Sequence, residues 1–351
     1  MDKKDNRGYM ERGKFIKLLA AAAGVSKTAL LAAAGFKTRA QTKPAELIHR
    51  NERPAMTYRK LGRTNFMSSR LIFGCAGVLY GAKNIRILER AFEAGINHYD
   101  SGSEINYKGS ERSLAPFLKA HREKIWIASK ANLSTVRIAP EEPISTGDAK
   151  TAARFWTKQL NASLKNLQTE YVDAYYIANV ENTALVSRDE IYKAFLDARA
   201  AGKVGHWGLT THNNATRVIE AAIKTGWYDS AMVGITPAGW YSMWSKKPPK
   251  GTPTLFDLRS VLNQARDAGI GLIGMKTVVY LTPIMVPPKG NPSAFDRIYD
   301  EDFKKSPLNP FQRSIAYVLE HGLDVVIGDM RNFRQLEENI IAAATAHTYF
   351  G

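Results

Sequence analysis

The chain has 351 residues, 44% of them hydrophobic, enough for one large folded domain or two small ones. Lys+Arg outnumber Asp+Glu by 49 to 33, but residues 1–70 hold 16 basic and 5 acidic residues, a net of +11, so only +5 of the total +16 is spread over the other 281. That distribution excludes a body built to grip a nucleic-acid backbone, and a single cysteine, Cys75, excludes a disulfide framework or a thiolate metal cluster.

Residues 1–17 are polar and basic, and an alanine-rich, weakly apolar stretch runs from Phe15-Ile16-Lys17-Leu18-Leu19 to about Phe36. Lys27 interrupts it, so no run of roughly 18 apolar residues exists for stable membrane insertion. A charged start, an apolar middle and a small-residue end at Thr38-Arg39-Ala40 make the pattern of a signal peptide. Arg12-Gly13-Lys14-Phe15-Ile16-Lys17 resembles a twin-arginine export signal with Gly13 in place of the second arginine. Residues 1–40 are therefore expected to be an export leader to the periplasm, with an uncleaved amphipathic helix or arm on a cytoplasmic protein as the alternative. Residues 41–56 read as a polar linker and residues 57–351 as the folded body.

From Thr57 onward, short apolar runs alternate with amphipathic stretches of helical period, the pattern of parallel βαβ units. The predicted strands are Ser69–Gly74, Ile96–Asp100, Lys124–Lys130, Val172–Ala178, His206–Thr211, Ala231–Thr236, Gly271–Lys276 and Leu323–Gly328. Among the helices between them, Trp156, Leu160, Leu164 and Leu167 form one apolar stripe. Phe311, Ile315, Val318 and Leu319 form a second, and Phe333, Leu336, Ile340 and Ile341 a third. Ala94-Gly95, Thr225-Gly226 and Ala268-Gly269 place a glycine just past a last helical turn. Eight units in roughly 280 residues match one α/β (β/α)8 TIM barrel. An open doubly wound sheet is the alternative, but its glycine-rich turn after the first strand is not matched by Gly74-Cys75-Ala76-Gly77.

Specific motifs then occur in order. Tyr58-Arg59-Lys60-Leu61-Gly62-Arg63-Thr64 resembles the opening β-hairpin of the aldo/keto reductases. Gly95-Ile96-Asn97-His98-Tyr99-Asp100, Ile127-Ala128-Ser129-Lys130, Leu167-Gln168-Thr169-Glu170-Tyr171-Val172-Asp173, Gly202-Lys203-Val204-Gly205-His206-Trp207-Gly208-Leu209 and Leu336-Glu337-Glu338-Asn339 resemble later blocks of the same family. The resemblance implies transfer of a hydride between a bound nicotinamide, NADP(H), and a small carbonyl substrate. In that chemistry a tyrosine hydroxyl protonates the nascent alkoxide, a lysine lowers its pKa, an aspartate pairs with the lysine and a histidine orients the carbonyl.

Asp100 and Lys130 fall at the family's aspartate and lysine positions. The tyrosine position, five residues after the aspartate, is Ile105. Tyr107 stands two residues later, in Asn106-Tyr107-Lys108-Gly109-Ser110-Glu111, and two readings stay open: a small bulge brings Tyr107 into the pocket, or Tyr107 is a loop tyrosine and the acid is lost. The histidine position is Ala178, which offers no donor. Asn179 follows it and on a strand would face the other way. For the cofactor, the resemblance points to Gly74 and Cys75 after the first strand, to Thr210 and Thr211 where a Ser-Asn pair holds the carboxamide, and to Met275 and Lys276 beside the nicotinamide ring. Met232 stands at a glutamine of that grip. Met330, Arg331, Glu338 and Asn339 match the segment that binds the adenosine ribose and its 2′-phosphate, Arg331 suiting a phosphate through its planar fork. Residues 237–255, with Trp240, Tyr241 and Trp244, and residues 281–308 form two long loops, either pocket walls or a partner-binding lip. The main alternative to a reductase with an altered site is a nucleotide-binding barrel without turnover, acting as a sensor or partner subunit. A weaker one, a sugar-processing barrel, needs a second carboxylate near Asp100, for which Glu104 is the candidate.

Overall fold

The computed structural model describes residues 46–79, 85–133, 139–241, 251–281, 290–328, 330–345 and 348. The expected leader, residues 1–40, and the first five linker residues lie outside them, as do residues 242–250 and 282–289 of the two long loops. Within the unit from Leu47 onward, the chain opens with a hairpin, β1 (Tyr58–Lys60) and β2 (Met67–Ser69), paired antiparallel. Six parallel strands follow: β3 (Leu71–Gly74), β4 (His98–Asp100), β5 (Trp126–Asn132), β6 (Val172–Ala178), β7 (Val204–Thr211) and β8 (Ser230–Thr236). A two-residue strand, β9 (Gly239–Trp240), folds back antiparallel on β8. The last two parallel strands, β10 (Gly271–Met275) and β11 (Val325–Gly328), bring the total to eight. Each of the eight pairs with its neighbour, and β10 pairs with both β8 and β11, which closes the barrel. The fold is thus the expected (β/α)8 barrel with an N-terminal β-hairpin.

Side chains alternate between the barrel lumen and the surrounding helices because successive residues of a strand face opposite ways. Ile72, Trp126, Ala128, Ala174, Tyr176 and Met232 pack in the lumen, and Leu61 and Phe66 of the hairpin segment plug its floor. Two glycines make this packing possible. Gly62, in the left-handed region at φ 52°, lies so close to β10 that a Cβ there would stand 2.3 Å from the Gly271 nitrogen. Gly208 leaves the space that the Tyr176 ring fills, since a Cβ there would stand 2.3 Å from its Cδ1.

The helices cover the outside with the predicted stripes. Trp156, Leu160, Leu164 and Leu167 are buried on the helix Thr146–Leu167, and Ile315, Val318 and Leu319 on the helix Pro310–His321, with Phe311 partly buried. The last helix, Phe333–Thr345, departs from expectation. It buries Leu336, Ala342 and Ala343 and packs Ile340, partly buried, against the core, whereas Phe333 and Ile341 stand 49% and 48% exposed. The small alanines bring this helix close to the barrel and rotate the larger residues out of the contact. Residues 47–56, polar in sequence, hold to the barrel floor: Arg50 donates to Asp173 at 2.8 Å and to the Ile125 carbonyl, and Asn51 donates to the Phe92 carbonyl at 2.7 Å.

Candidate active site at the C-terminal mouth of the barrel

In a (β/α)8 barrel the side chains at the C-terminal strand ends converge on one mouth. Asp100 ends β4, and Lys130 lies on β5 two pleats above Trp126. Lys130 Nζ donates to Asp100 Oδ2 at 2.7 Å and to the Ser101 carbonyl. Both side chains are buried, 1% and 5% exposed. Removing one partner would leave a buried charge uncompensated, at a cost of about 3–5 kcal/mol. Burial pushes the Asp100 carboxyl upward and Lys130 opposes it. Burial likewise pushes Lys130 down, but Asp100 and then Tyr107 outweigh it and hold the ammonium above the ordinary lysine range. Lys130 is therefore held as the ammonium, and the acceptor oxygen Asp100 Oδ1 is unpartnered among the described residues.

Tyr107 reaches this pair by a route other than a bulge. Glu104–Tyr107 forms a single helical turn, which brings the tyrosine back over the strand end and leaves Ile105 58% exposed. The Tyr107 ring packs on Gly102, where a Cβ would stand 3.0 Å from its Cδ2. Lys130 Nζ lies 4.9 Å from the ring centroid. Burial raises the hydroxyl pKa, and the Lys130 charge pulls it back only in part, so Tyr107 carries its proton at neutral pH. Glu104 turns away from the mouth: it ion-pairs with Arg112 at 2.7 Å and accepts from the Gly109 N–H at 2.9 Å. The second carboxylate that a sugar-processing barrel requires is therefore not at Glu104.

The residues expected to hold a cofactor do not all face the mouth. Thr210 and Met275 face the mouth, Thr210 accepting from the Asn179 N–H at 2.9 Å and Met275 packing on the luminal cluster. Lys276 follows in the left-handed conformation, φ 68°. Gly74 and Cys75 start the short helix Cys75–Val78 beside Asp100, with the Cys75 thiol pushed up first by burial and then by the Asp100 charge. Gly74 packs against β11, where its Cβ would stand 2.8 Å from the Gly328 carbonyl. Thr211 points away from the lumen and donates to the Asn213 carbonyl. Met330 is fully buried in the outer core, so its side chain presents nothing to a ligand. Arg331 is exposed just before the last helix, its N–H bound to Gln335 Oε1 at 2.8 Å. Glu338 pairs with Arg334 at 3.0 Å, and the Asn339 amide lies against Gly328.

Ala178 is buried at the end of β6 and supplies no donor. Asn179 adopts the left-handed conformation, φ 53°, and is exposed. The residue that sequence reasoning missed is His212. It continues the luminal parity of Gly208 and Thr210 one residue beyond β7, and it is 7% exposed. A cavity of about 200 Å³ opens beside it, lined among others by Asn213, Thr216, Trp240, Tyr241 and Thr252. Alternation along β7 is the signal that could have found it.

The profile of the aldo/keto reductase family matches residues 71–348. A probable aldo-keto reductase of Glycine max is 28% identical over 308 residues, covering 81% of this chain and 84% of the relative. An uncharacterized oxidoreductase of Bacillus subtilis, YqkF, is 23% identical and covers 82% and 91%. Among solved structures, an aldo-keto reductase of Bacillus halodurans in its holo form superposes with a TM-score of 0.60 at 20% identity, over 82% of this chain and 90% of that one. A putative aldo-keto reductase from Pseudomonas aeruginosa gives 0.56, also at 20% identity, over 85% and 99%. With eight strands closed into a barrel, a buried aspartate–lysine pair at its mouth and a family profile spanning nearly all of the body, this chain belongs to the aldo/keto reductase family of oxidoreductases.

Proposed function

We propose that the chain is an NADP(H)-dependent reductase of small carbonyl compounds, with Tyr107 as the general acid and Lys130 and Asp100 tuning it. The observation that carries this reading is the assembled trio: Lys130 is bonded to Asp100 at 2.7 Å and lies 4.9 Å from the Tyr107 ring, despite the two-residue offset in sequence. Thr210, Met275 and Lys276 stand at the positions where the resemblance puts the nicotinamide, and the exposed Arg331 suits a 2′-phosphate. Once bound, the nicotinamide supplies the hydride. The chain's own residues supply the proton and hold the charge. Tyr107 is neutral and gives its proton to the developing alkoxide, and the Lys130 ammonium stabilises the tyrosinate left behind. Asp100 keeps that ammonium charged and aimed.

Because Ala178 stands where the family places an orienting histidine, activated carbonyls such as quinones and α-dicarbonyls are the substrates this site favours. They need less electrophilic help. The test is NADPH oxidation with phenanthrenequinone and methylglyoxal by the wild type and by Tyr107→Phe. The variant is expected to lose activity and keep its NADPH affinity. Equal activity in the two proteins would make Tyr107 a bystander. Wild-type protein that binds NADPH but turns over no carbonyl would favour the second reading, a nucleotide-binding sensor, which Ala178 alone supports.

A further inference from the structure

The mouth has lost a donor on β6 and holds an unexplained imidazole beside it. β6 and β7 are neighbours in parallel register, Ile177 opposite Leu209, so Ala178 and Thr210 stand side by side at the rim. His212 lies one pleat further on, roughly 6–7 Å along the strand direction. Its ring passes over Gly234 of β8, where a Cβ would stand 3.5 Å from the His212 Cα and Cδ2. Tyr241, whose N–H is bound to the Gly234 carbonyl at 2.8 Å, meets the imidazole edge to face at 6.2 Å. These contacts fix the ring at the rim of β7 and β8; the cavity it borders lies toward Asn213, Thr216, Trp240 and Thr252 and is not lined by Asp100, Tyr107 or Lys130. Its Nδ1 is buried and has no hydrogen-bond partner among the described residues. A buried polar atom of this kind costs free energy unless something binds it.

We propose that the His212 imidazole is the second hydrogen-bond donor to the substrate carbonyl, taking from β7 the role that Ala178 cannot fill on β6. The groups that face it suit this task. Lys276, from the segment after β10, and Lys130, on β5, both disfavour a positive charge on it, and with burial as the largest cause they push its pKa down to about 3. The ring is therefore neutral at any working pH and carries one N–H, which it donates to the carbonyl oxygen without transferring a proton. Tyr241, the other titratable neighbour, is held protonated by its own burial. The rival donor, Asn179, is exposed, and its backbone N–H is taken by Thr210 Oγ1.

This inference rests on the reading of the chain as a working reductase, and the experiment separates the two. The wild type, His212→Ala and the double variant His212→Ala/Ala178→His are compared in NADPH oxidation with phenanthrenequinone and methylglyoxal, alongside NADPH affinity and melting temperature. The single variant should lose on the order of 10²-fold in kcat/KM, with NADPH affinity and melting temperature retained. The double variant should regain at least about tenfold, because the histidine returns to the other side of the same oxygen. A single variant within about threefold of wild type overturns the inference and leaves the proposed function standing. So does a loss of activity that tracks a loss of NADPH affinity, or a double variant no better than the single. A wild type without turnover overturns both.

Discussion

The deepest test of the lumen is a change of pH acting on His98. Its ring lies on the barrel floor, fully buried against Phe66 and Trp126, with Nδ1 3.0 Å from Ser68 Oγ and Nε2 without a partner among the described residues. Protonation would place an N–H on Nε2 facing nothing that accepts it, in a lumen that already holds the Lys130 charge. Burial first, and Lys130 second, push its pKa from 6.5 down to about 3. A base whose folded pKa is depressed binds fewer protons folded than unfolded, so its contribution to stability is intact above about pH 6.5 and is lost as pH falls toward 3. Between about pH 7.5 and about pH 5 the loss works out at about 2 kcal/mol for this one group, a sizeable part of a typical 5–15 kcal/mol total. His212 and His321, both pushed down first by burial, titrate with the same sign, and Glu111, held above the usual carboxylate range by burial, with the opposite sign, so the His98 share is the difference in slope between wild type and a His98 variant. Urea unfolding followed at both pH values reads the difference. His98→Asn keeps a donor for Ser68 and removes the titration, so it should be less stable at neutral pH but flatter across the window. The same slope in the variant as in the wild type would refute the reasoning.

Two further substitutions test the cofactor site and the packing. Arg331→Ala should weaken NADPH binding by about tenfold or more and leave NADH binding nearly unchanged, since a guanidinium–phosphate pair is worth about 1.5–3 kcal/mol; equal effects in a fluorescence titration of the two nucleotides would remove the 2′-phosphate role. Gly208→Ala should cost about 1–3 kcal/mol in unfolding free energy, because the new methyl would stand 2.3 Å from the buried Tyr176 ring and 2.8 Å from Ser230 Oγ; a change under about 0.5 kcal/mol would mean the Tyr176 ring can move aside.

The barrel was legible because its strands are buried on both faces and read as apolar runs. β6 has the predicted bounds, Val172–Ala178, and the other strands shift by up to two residues at an end. Asp100 and Lys130 were legible because each closes a motif that resembles the family's, Gly95–Asp100 and Ile127–Lys130, at or near the end of a strand, and strand ends meet at the mouth. Tyr107 was not. Whether a tyrosine seven residues past Asp100 returns to it depends on the turn at Glu104–Tyr107, and spacing alone does not distinguish that turn from an open loop. Met330 shows the opposite error. Its neighbours match a nucleotide-binding segment, but the side chain is drawn into the core between β11 and the last helix. His212 was overlooked because it lies one residue past the end of β7, where a strand period is no longer assumed to hold.

The positions of Ala178 and His212 follow from one property of the barrel. Every luminal residue near the rim faces the same axis, so a donor can be lost from one strand and supplied by the next without moving the oxygen it binds. What the neighbouring strand must provide is parity, reach and clearance. Parity comes from the alternation Gly208, Thr210, His212. Reach comes from the one extra pleat, which the length of an imidazole side chain spans. Clearance comes from Gly234, whose missing side chain lets the ring lie over β8 while Tyr241 backs it. The same three conditions explain why Asn179 is a poorer substitute despite its amide. It is the closest residue in sequence to the missing histidine, but its left-handed backbone turns the chain out of the lumen. The orienting donor is therefore set by luminal parity and space at the rim rather than by proximity along the chain.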